Sequence, residues 1–203
     1  MDVGVIGTGQ MGSNHVRVYS ELKVVDDLFV FDLDSKAAEE VASRYDATAI
    51  GSLEEFLTAV EAVSICVPTP YHLQTAAGII HRGIHTLIEK PICQTVEQAE
   101  NLIAMIPEGI TTGIGHIERF NPIIGEIQKM ISNPLYVEFK RHNPTSSRIT
   151  GGSVVEDLMI HDIDIVINCL YSTDPVISAM GTTDVAAVLA QYGTTPVYLS
   201  ASR

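Results

Sequence analysis

From residue 3 to about residue 115, short β-branched runs alternate with amphipathic stretches. The runs 3–6, 28–31, 62–67, 85–88 and 109–114 are apolar enough to be covered on both faces and predict strands of a parallel sheet. Between them, 13–22, 35–45, 52–58, 71–82 and 95–105 predict helices, separated by Gly, Pro, Asp and Ser breakers. Ser35, Ser52 and Thr95 are expected as N-caps, and Thr95 with Gln98 has capping-box spacing. This alternation is the pattern of βαβ units, an α/β fold with a doubly wound parallel sheet.

Past Gly115 the pattern changes. Residues 135–142 alternate like a strand with one exposed face, 155–170 read as one long helix, and 176–180, 185–192 and 196–200 read as further strands. One helix on an open, mostly antiparallel sheet is expected there. The domain boundary falls between Gly113 and Asn121, giving residues 1–115 and 116–203, with no internal repeat and no low-complexity segment.

Composition narrows the possible partners. Of 203 residues, 46% are hydrophobic and 18% charged, enough apolar surface to build a real core and too much for a disordered chain. Twelve basic against 25 acidic residues give −13, a field that repels nucleic-acid backbones and anionic membrane surfaces. A small anionic ligand stays compatible, because local amides act within a Debye length of about 8 Å. No apolar run approaches the ~18 residues of a membrane span, and the first strand starts too close to Met1 for a signal peptide. Cys66, Cys93 and Cys169 are odd in number and lack C-x-x-C spacing, so a reducing, cytoplasmic location is expected. His81 and His85 have ligand spacing, but Gly83 breaks the helix between them and no metal site is expected.

Gly7, Gly9 and Gly12 form G-x-G-x-x-G between the first strand and the first helix, the context in which this spacing signals a dinucleotide. The first glycine permits the turn, the second lets backbone approach a pyrophosphate, and the third lets helix and strand pack closely. Gln10 and Met11 lie inside the same loop and join the candidate cofactor contacts. Asp32, at the end of the second strand, is placed to receive the adenosine ribose hydroxyls and favours NAD over NADP, since a 2′-phosphate would meet a like charge. Lys36, a turn further on, reads as a solvated helix-face lysine.

Pro68, Thr69, Glu89 and Lys90 stand at the carboxyl ends of the third and fourth strands, facing the expected crevice. Pro91 restricts Lys90 to extended geometry, and the bond between them is a candidate for the cis form. Taken alone, Lys90 reads as a surface lysine. Asp157 and His161, four apart on the long helix, share a face; a working donor–acceptor pair and a buried, satisfied histidine are both open readings. Gly151, Gly152 and Ser153 add flexible backbone before the helix, and Asp162 and Asp164 add acids unusual in a core helix.

Gly-x-Gly-x-Met-Gly-Ser-x-His at 7–15, Glu89-Lys90-Pro91, and Asp157-x-x-x-His161-Asp162-Ile163-Asp164 together resemble the Gfo/Idh/MocA family of nicotinamide-dependent sugar and polyol oxidoreductases. The resemblance implies a Rossmann domain at 1–115 followed by a substrate and oligomerisation domain at 116–203. It implies a nicotinamide cofactor, NAD where Asp32 sets the preference, a sugar or nucleotide-sugar substrate, and a homo-oligomer, dimer or tetramer. It assigns Lys90, Asp157 and His161 to catalysis, either Lys90 or His161 serving as the base. The segments 115–122 and 141–144, with Arg148, are similar to members that oxidise the 3-hydroxyl of UDP-N-acetylhexosamines, which implies His116, Arg119, Asn121 and Arg148 as substrate contacts. The chain is shorter than the family pattern, stopping inside the second domain's sheet, so an exposed sheet edge covered by another copy is expected. The contrasting reading is a dinucleotide-binding regulator without turnover.

Overall fold

The computed structural model describes residues 1–144 and 152–203, so Arg148 and Gly151 fall outside the described residues. The chain divides into two compact units, Met1–Gly115 and His116–Arg203. The α/β class read from the sequence is what folds.

In the first unit six parallel strands are ordered β3-β2-β1-β4-β5-β6: β1 (Val3–Ile6), β2 (Leu28–Phe31), β3 (Thr48–Ala49), β4 (Ala62–Ile65), β5 (His85–Ile88) and β6 (Thr112–Ile114). This is the doubly wound Rossmann order, with its switch point between β1 and β4. Side-chain alternation along β1 explains why the strand is apolar throughout. Val3 and Val5 point into a core with Val16, Ala38, Val41 and Ala42 from α1 (Gln10–Ser20) and α2 (Ser35–Tyr45). Ile6 points to the opposite face, into a core with Phe56, Ile79, Ile80 and Leu102 from α3 (Leu53–Thr58), α4 (His72–Ile80) and α5 (Val96–Ala104). Gly4 shares that second face because a β-carbon there would lie 2.3 Å from the Phe56 ring, which is fully buried.

Ser52 and Thr95 cap α3 and α5 as expected, accepting the N–H groups of Glu55 and Gln98 at 3.5 and 3.2 Å. For α2 the cap is Asp34 and not Ser35: its carboxylate accepts the N–H groups of Lys36 and Ala37, leaving Ser35 as the first helical residue. The two-residue β3 is too short for a periodicity to reveal it.

In the second unit the sheet order is β7-β10-β9-β8, with β7 (Val137–His142), β8 (Val176–Gly181), β9 (Val185–Tyr192) and β10 (Thr195–Ser202). The pairs β8·β9 and β9·β10 are antiparallel and β10·β7 is parallel, so the sheet is mostly antiparallel with one exception. The helical stretch is continuous but not uniform: α7 (Ile160–Ile165) is flanked by π-helical turns at Val155–Met159 and Val166–Leu170. Met159 and Val166 bury against Ala186, Ala190, Val197 and Leu199 of β9 and β10. A further helix, α6 (Pro122–Met130), was not among the expected elements; its signal is Asn121-Pro122, an N-cap followed by proline at the first helical position. Among the described residues no helix is long and apolar enough to cross a membrane.

Candidate cofactor and active site

The glycine loop between β1 and α1 assigns each glycine a separate task. Gly7 has φ +88°, and a β-carbon there would come within 2.8 Å of the Cys66 carbonyl. A β-carbon on Gly12 would lie 1.7 Å from the Gly7 oxygen, so the first turn of α1 packs onto the loop only because residue 12 has no side chain. Gly9 differs: its φ of −62° suits any residue, and nothing lies within 4 Å of its would-be β-carbon. Neither conformation nor protein packing requires glycine there.

The open space beside Gly9 lies at a bare helix end. Side chains cap α2, α3, α5 and α6, whereas α1, like α4, has no side-chain cap and no acidic residue in its first turn. Its leading N–H groups and positive dipole end suit a pyrophosphate. Asp32, just beyond β2, accepts from the Thr8 N–H at 2.6 Å, the Thr8 hydroxyl at 2.9 Å and the Asp34 N–H at 2.9 Å. Burial pushes its pKa up, but these bonds outweigh burial and hold the carboxyl below the ordinary aspartate range. The residues present therefore fit a dinucleotide: amides at an uncapped helix end suited to phosphates, a carboxylate just beyond β2 suited to ribose hydroxyls, and a glycine beside open space.

Beneath the loop lies a buried polar chain. His15 on α1 bridges Ser64 of β4 at 3.0 Å and Glu89 at 2.8 Å, and the Tyr19 hydroxyl meets the Ser64 hydroxyl at 2.7 Å. Glu89 is 7% exposed, and its carboxylate also accepts the Lys90 N–H at 3.2 Å. A β-carbon on Gly115 would sit 3.0 Å from that carboxylate. Glu89 thus braces the Lys90 turn from within. Burial raises its pKa, while His15, the Lys90 N–H and the Lys90 charge lower it, and the net position is below the ordinary glutamate range. Cys66, in the same layer, is pushed upward by burial and by the Glu89 charge, so it stays a thiol. The Lys90-Pro91 bond is cis. Lys90 is half-buried and engaged with neighbouring groups.

In the second unit Ser153 and Glu156 cap the long helix reciprocally: the Ser153 N–H donates to Glu156 at 2.8 Å and the Glu156 N–H to the Ser153 hydroxyl at 3.4 Å. The S-x-x-E spacing carries that signal. Asp157 lies in the π-helical turn and His161 one turn on in α7; both are half-buried and both have polar or electrostatic partners. π-Turns inside helices recur at functional sites.

The neighbouring acids have a structural occupation. Asp162, 3% exposed, receives Arg141 through Nε at 3.2 Å and an Nη at 2.7 Å; Asp164, 4% exposed, receives Arg119 in the same forked manner and the Asn168 amide at 2.9 Å. Arg119 is therefore joined to its own helix partner, His116 stands 3.9 Å from the Asp164 carboxylate, and Asn121 caps α6 through the Ile123 N–H. Of these candidate substrate residues, Arg119 and Asn121 therefore have hydrogen-bonding work inside the unit.

A Rossmann sheet whose glycine loop, bare helix end and aspartate after β2 fit a dinucleotide defines a dinucleotide-binding class of fold. The profile described as "Oxidoreductase family, NAD-binding Rossmann fold", Gfo/Idh/MocA, matches residues 1–109. The chain belongs to that family. It is 37% identical over 191 residues to UDP-N-acetylglucosamine 3-dehydrogenase of Acidithiobacillus ferrooxidans, covering 93% of this chain and 59% of that enzyme. The chain thus spans less than two thirds of that relative's length. A solved structure of that dehydrogenase, GnnA, superposes with TM-score 0.91 at 35% identity, covering 100% of this chain and 70% of the other. GenD2 from gentamicin A biosynthesis, solved in complex with NAD, shares the fold at TM-score 0.85 and 23% identity, over 100% of this chain and 65% of its own.

Two alanine substitutions separate the glycine roles. Gly12→Ala should lower the melting temperature strongly, because the peptide it strikes is backbone and cannot turn aside. Gly9→Ala should melt like the unmodified protein yet bind NADH at least about tenfold more weakly, a loss near 1.4 kcal/mol. Melting curves and fluorescence titration of both proteins check this.

Glu89 carries a pH signature. A carboxylate whose folded pKa is depressed adds stability above its unfolded pKa and loses it as pH falls through the folded one. Glu89→Gln should therefore cost about 1–3 kcal/mol at pH 7, the size of a charged hydrogen bond, with the gap closing in acid. Urea titrations at pH 7 and pH 3.5 measure it, and a gap that widens in acid would contradict the assignment.

Proposed function

We propose that this protein is an NAD-dependent dehydrogenase that oxidises a secondary hydroxyl of a nucleotide sugar, the 3-hydroxyl of UDP-N-acetylglucosamine being the leading substrate. The observation that carries the reading is Gly9, a glycine that neither backbone geometry nor packing requires, beside an uncapped helix N-terminus. The likeness to UDP-N-acetylglucosamine 3-dehydrogenase supports the substrate. The first-unit loop and Asp32 would hold the dinucleotide, Gln10, Met11, Pro68 and Thr69 completing its surroundings. When bound, the nicotinamide supplies the hydride acceptor.

The chain's own task is proton and charge management. As hydride leaves the carbinol carbon, the hydroxyl must give up its proton. His161 is the acceptor in this reading, and the Lys90 ammonium steadies the developing alkoxide. Asp157 orients the imidazole or the sugar. Glu89, buried below Lys90, keeps the turn that carries the ammonium in place.

UDP-N-acetylglucosamine with NAD, followed at the absorbance of reduced nicotinamide, tests the reaction. Lys90→Ala and His161→Ala should each lower turnover by roughly 10²–10⁴, the usual size of a lost acid–base contribution, while NADH affinity stays within about threefold. Full turnover in both variants would sink the catalytic assignment.

Cofactor choice follows from Asp32, whose ionised carboxylate would face a 2′-phosphate with like charge. Calorimetry on the unmodified protein should show NADH bound at least about tenfold more tightly than NADPH, equivalent to 1.4 kcal/mol. The reverse order would overturn the preference.

A further inference from the structure

One buried imidazole is not accounted for by cofactor or substrate. His72 opens α4, is 1% exposed, and belongs to none of the motifs above. Its Nδ1 stands 2.9 Å from the Pro91 carbonyl and 3.2 Å from the Ile92 carbonyl, and its Nε2 stands 2.8 Å from the Val67 carbonyl. Carbonyls only accept, so a ring with a single N–H can hold one side by donation, and holding both sides at once requires N–H groups on both nitrogens. The three oxygens belong to two loops, Val67 leading into Pro68 and Thr69 after β4, and Pro91 and Ile92 following Lys90 after β5. A side chain wanted only for filling would be apolar here, since an imidazole lost from water must recover its hydrogen bonds.

We propose that His72 is a positioning residue: a two-sided clamp that sets the Lys90 turn against the Pro68-Thr69 loop. The inference rests on the dehydrogenase reading for what Lys90 does, but the clamp itself is a property of the first unit. Its two arms serve different loops. The Nδ1 arm fixes the turn that carries Lys90, one residue from its nearer anchor, and the Nε2 arm fixes the loop assigned to the cofactor. A misplacement on the order of 1 Å in a catalytic group costs up to about 10²-fold in rate, so the Nδ1 arm is the one turnover depends on.

Amide side chains separate the arms, because an asparagine amide nitrogen occupies the position of Nδ1 and a glutamine amide nitrogen that of Nε2. Three variants, His72→Leu, His72→Gln and His72→Asn, are compared by hydrogen–deuterium exchange of the segments 88–94 and 64–71, and by kcat and KM. In His72→Gln, exchange in 88–94 should rise severalfold while 64–71 stays protected, and kcat should fall at least about tenfold with KM nearly unchanged. In His72→Asn the exchange pattern should reverse, and most of the kcat lost in His72→Leu should be recovered. Should His72→Leu fail to fold, the Gln and Asn proteins still decide. Equal exchange in both segments for Gln and Asn, or equal losses of kcat, would show ordinary core packing and overturn the clamp. If the unmodified protein turns over no nucleotide sugar or polyol with NAD or NADP, the dehydrogenase reading falls and the exchange pattern alone judges His72.

Discussion

At residue 12 a peptide oxygen occupies the place where a side chain would stand, 1.7 Å from the missing β-carbon. That contact draws the first turn of α1 onto the loop, and most of the first unit's chemistry follows from it. With α1 seated, its unpartnered N–H groups face the open space at Gly9, and His15 one turn on reaches Ser64 and Glu89. Glu89 in turn holds the Lys90 amide. A larger residue at 12 would lift the helix away, and the anion site and the brace under Lys90 would be disturbed together.

The second unit solves a different problem, that of acids in a helix that must also bury apolar surface. Asp162 and Asp164 are nearly inaccessible, and a lone buried carboxylate would be several kcal/mol unfavourable. Each is met by a forked guanidinium, from Arg141 on β7 and from Arg119 in the turn before α6. Such pairs contribute little net stability but fix which face of the helix turns inward. The face carrying Asp157 and His161 is thereby determined by acids that take no part in the proposed chemistry.

The elements most legible in the sequence were those whose signals are local and redundant. Strands buried on both faces, helices with side-chain caps and the glycine spacing were all readable, and the family followed from motifs that sit inside them. Misreadings arose where two residues competed or where a partner is distant in sequence. Asp34 displaced Ser35 as a cap because its carboxylate reaches two amides. Asp162 and Asp164 read as acids out of place in a core helix because their arginines lie 21 and 45 residues away. His72 gave no signal at all, since its partners are backbone carbonyls that any sequence would supply. The tasks of the three glycines were expected from the spacing, but only the contacts separate the two that the fold itself requires from the one it does not.

A formal charge of −13 opposes an anionic dinucleotide over long range, yet the local arrangement at the loop answers the global field. Two carboxylates beside the loop, Asp32 and Glu89, each have hydrogen-bond partners within the first unit: Thr8 and Asp34 for Asp32, His15 and the Lys90 N–H for Glu89. The acids at helix starts elsewhere, Glu54 and Glu55 in α3 and Glu97 in α5, occupy the first turns of helices already capped by hydroxyls, whereas α1 has none. Partial positive charge at the α1 N-terminus acts over one turn, and salt screens the distant acids over about 8 Å. Attraction at the loop and repulsion from the surface therefore operate on different length scales. A small ligand that enters the loop feels mostly the first, while a long polyanion laid across the surface feels mostly the second.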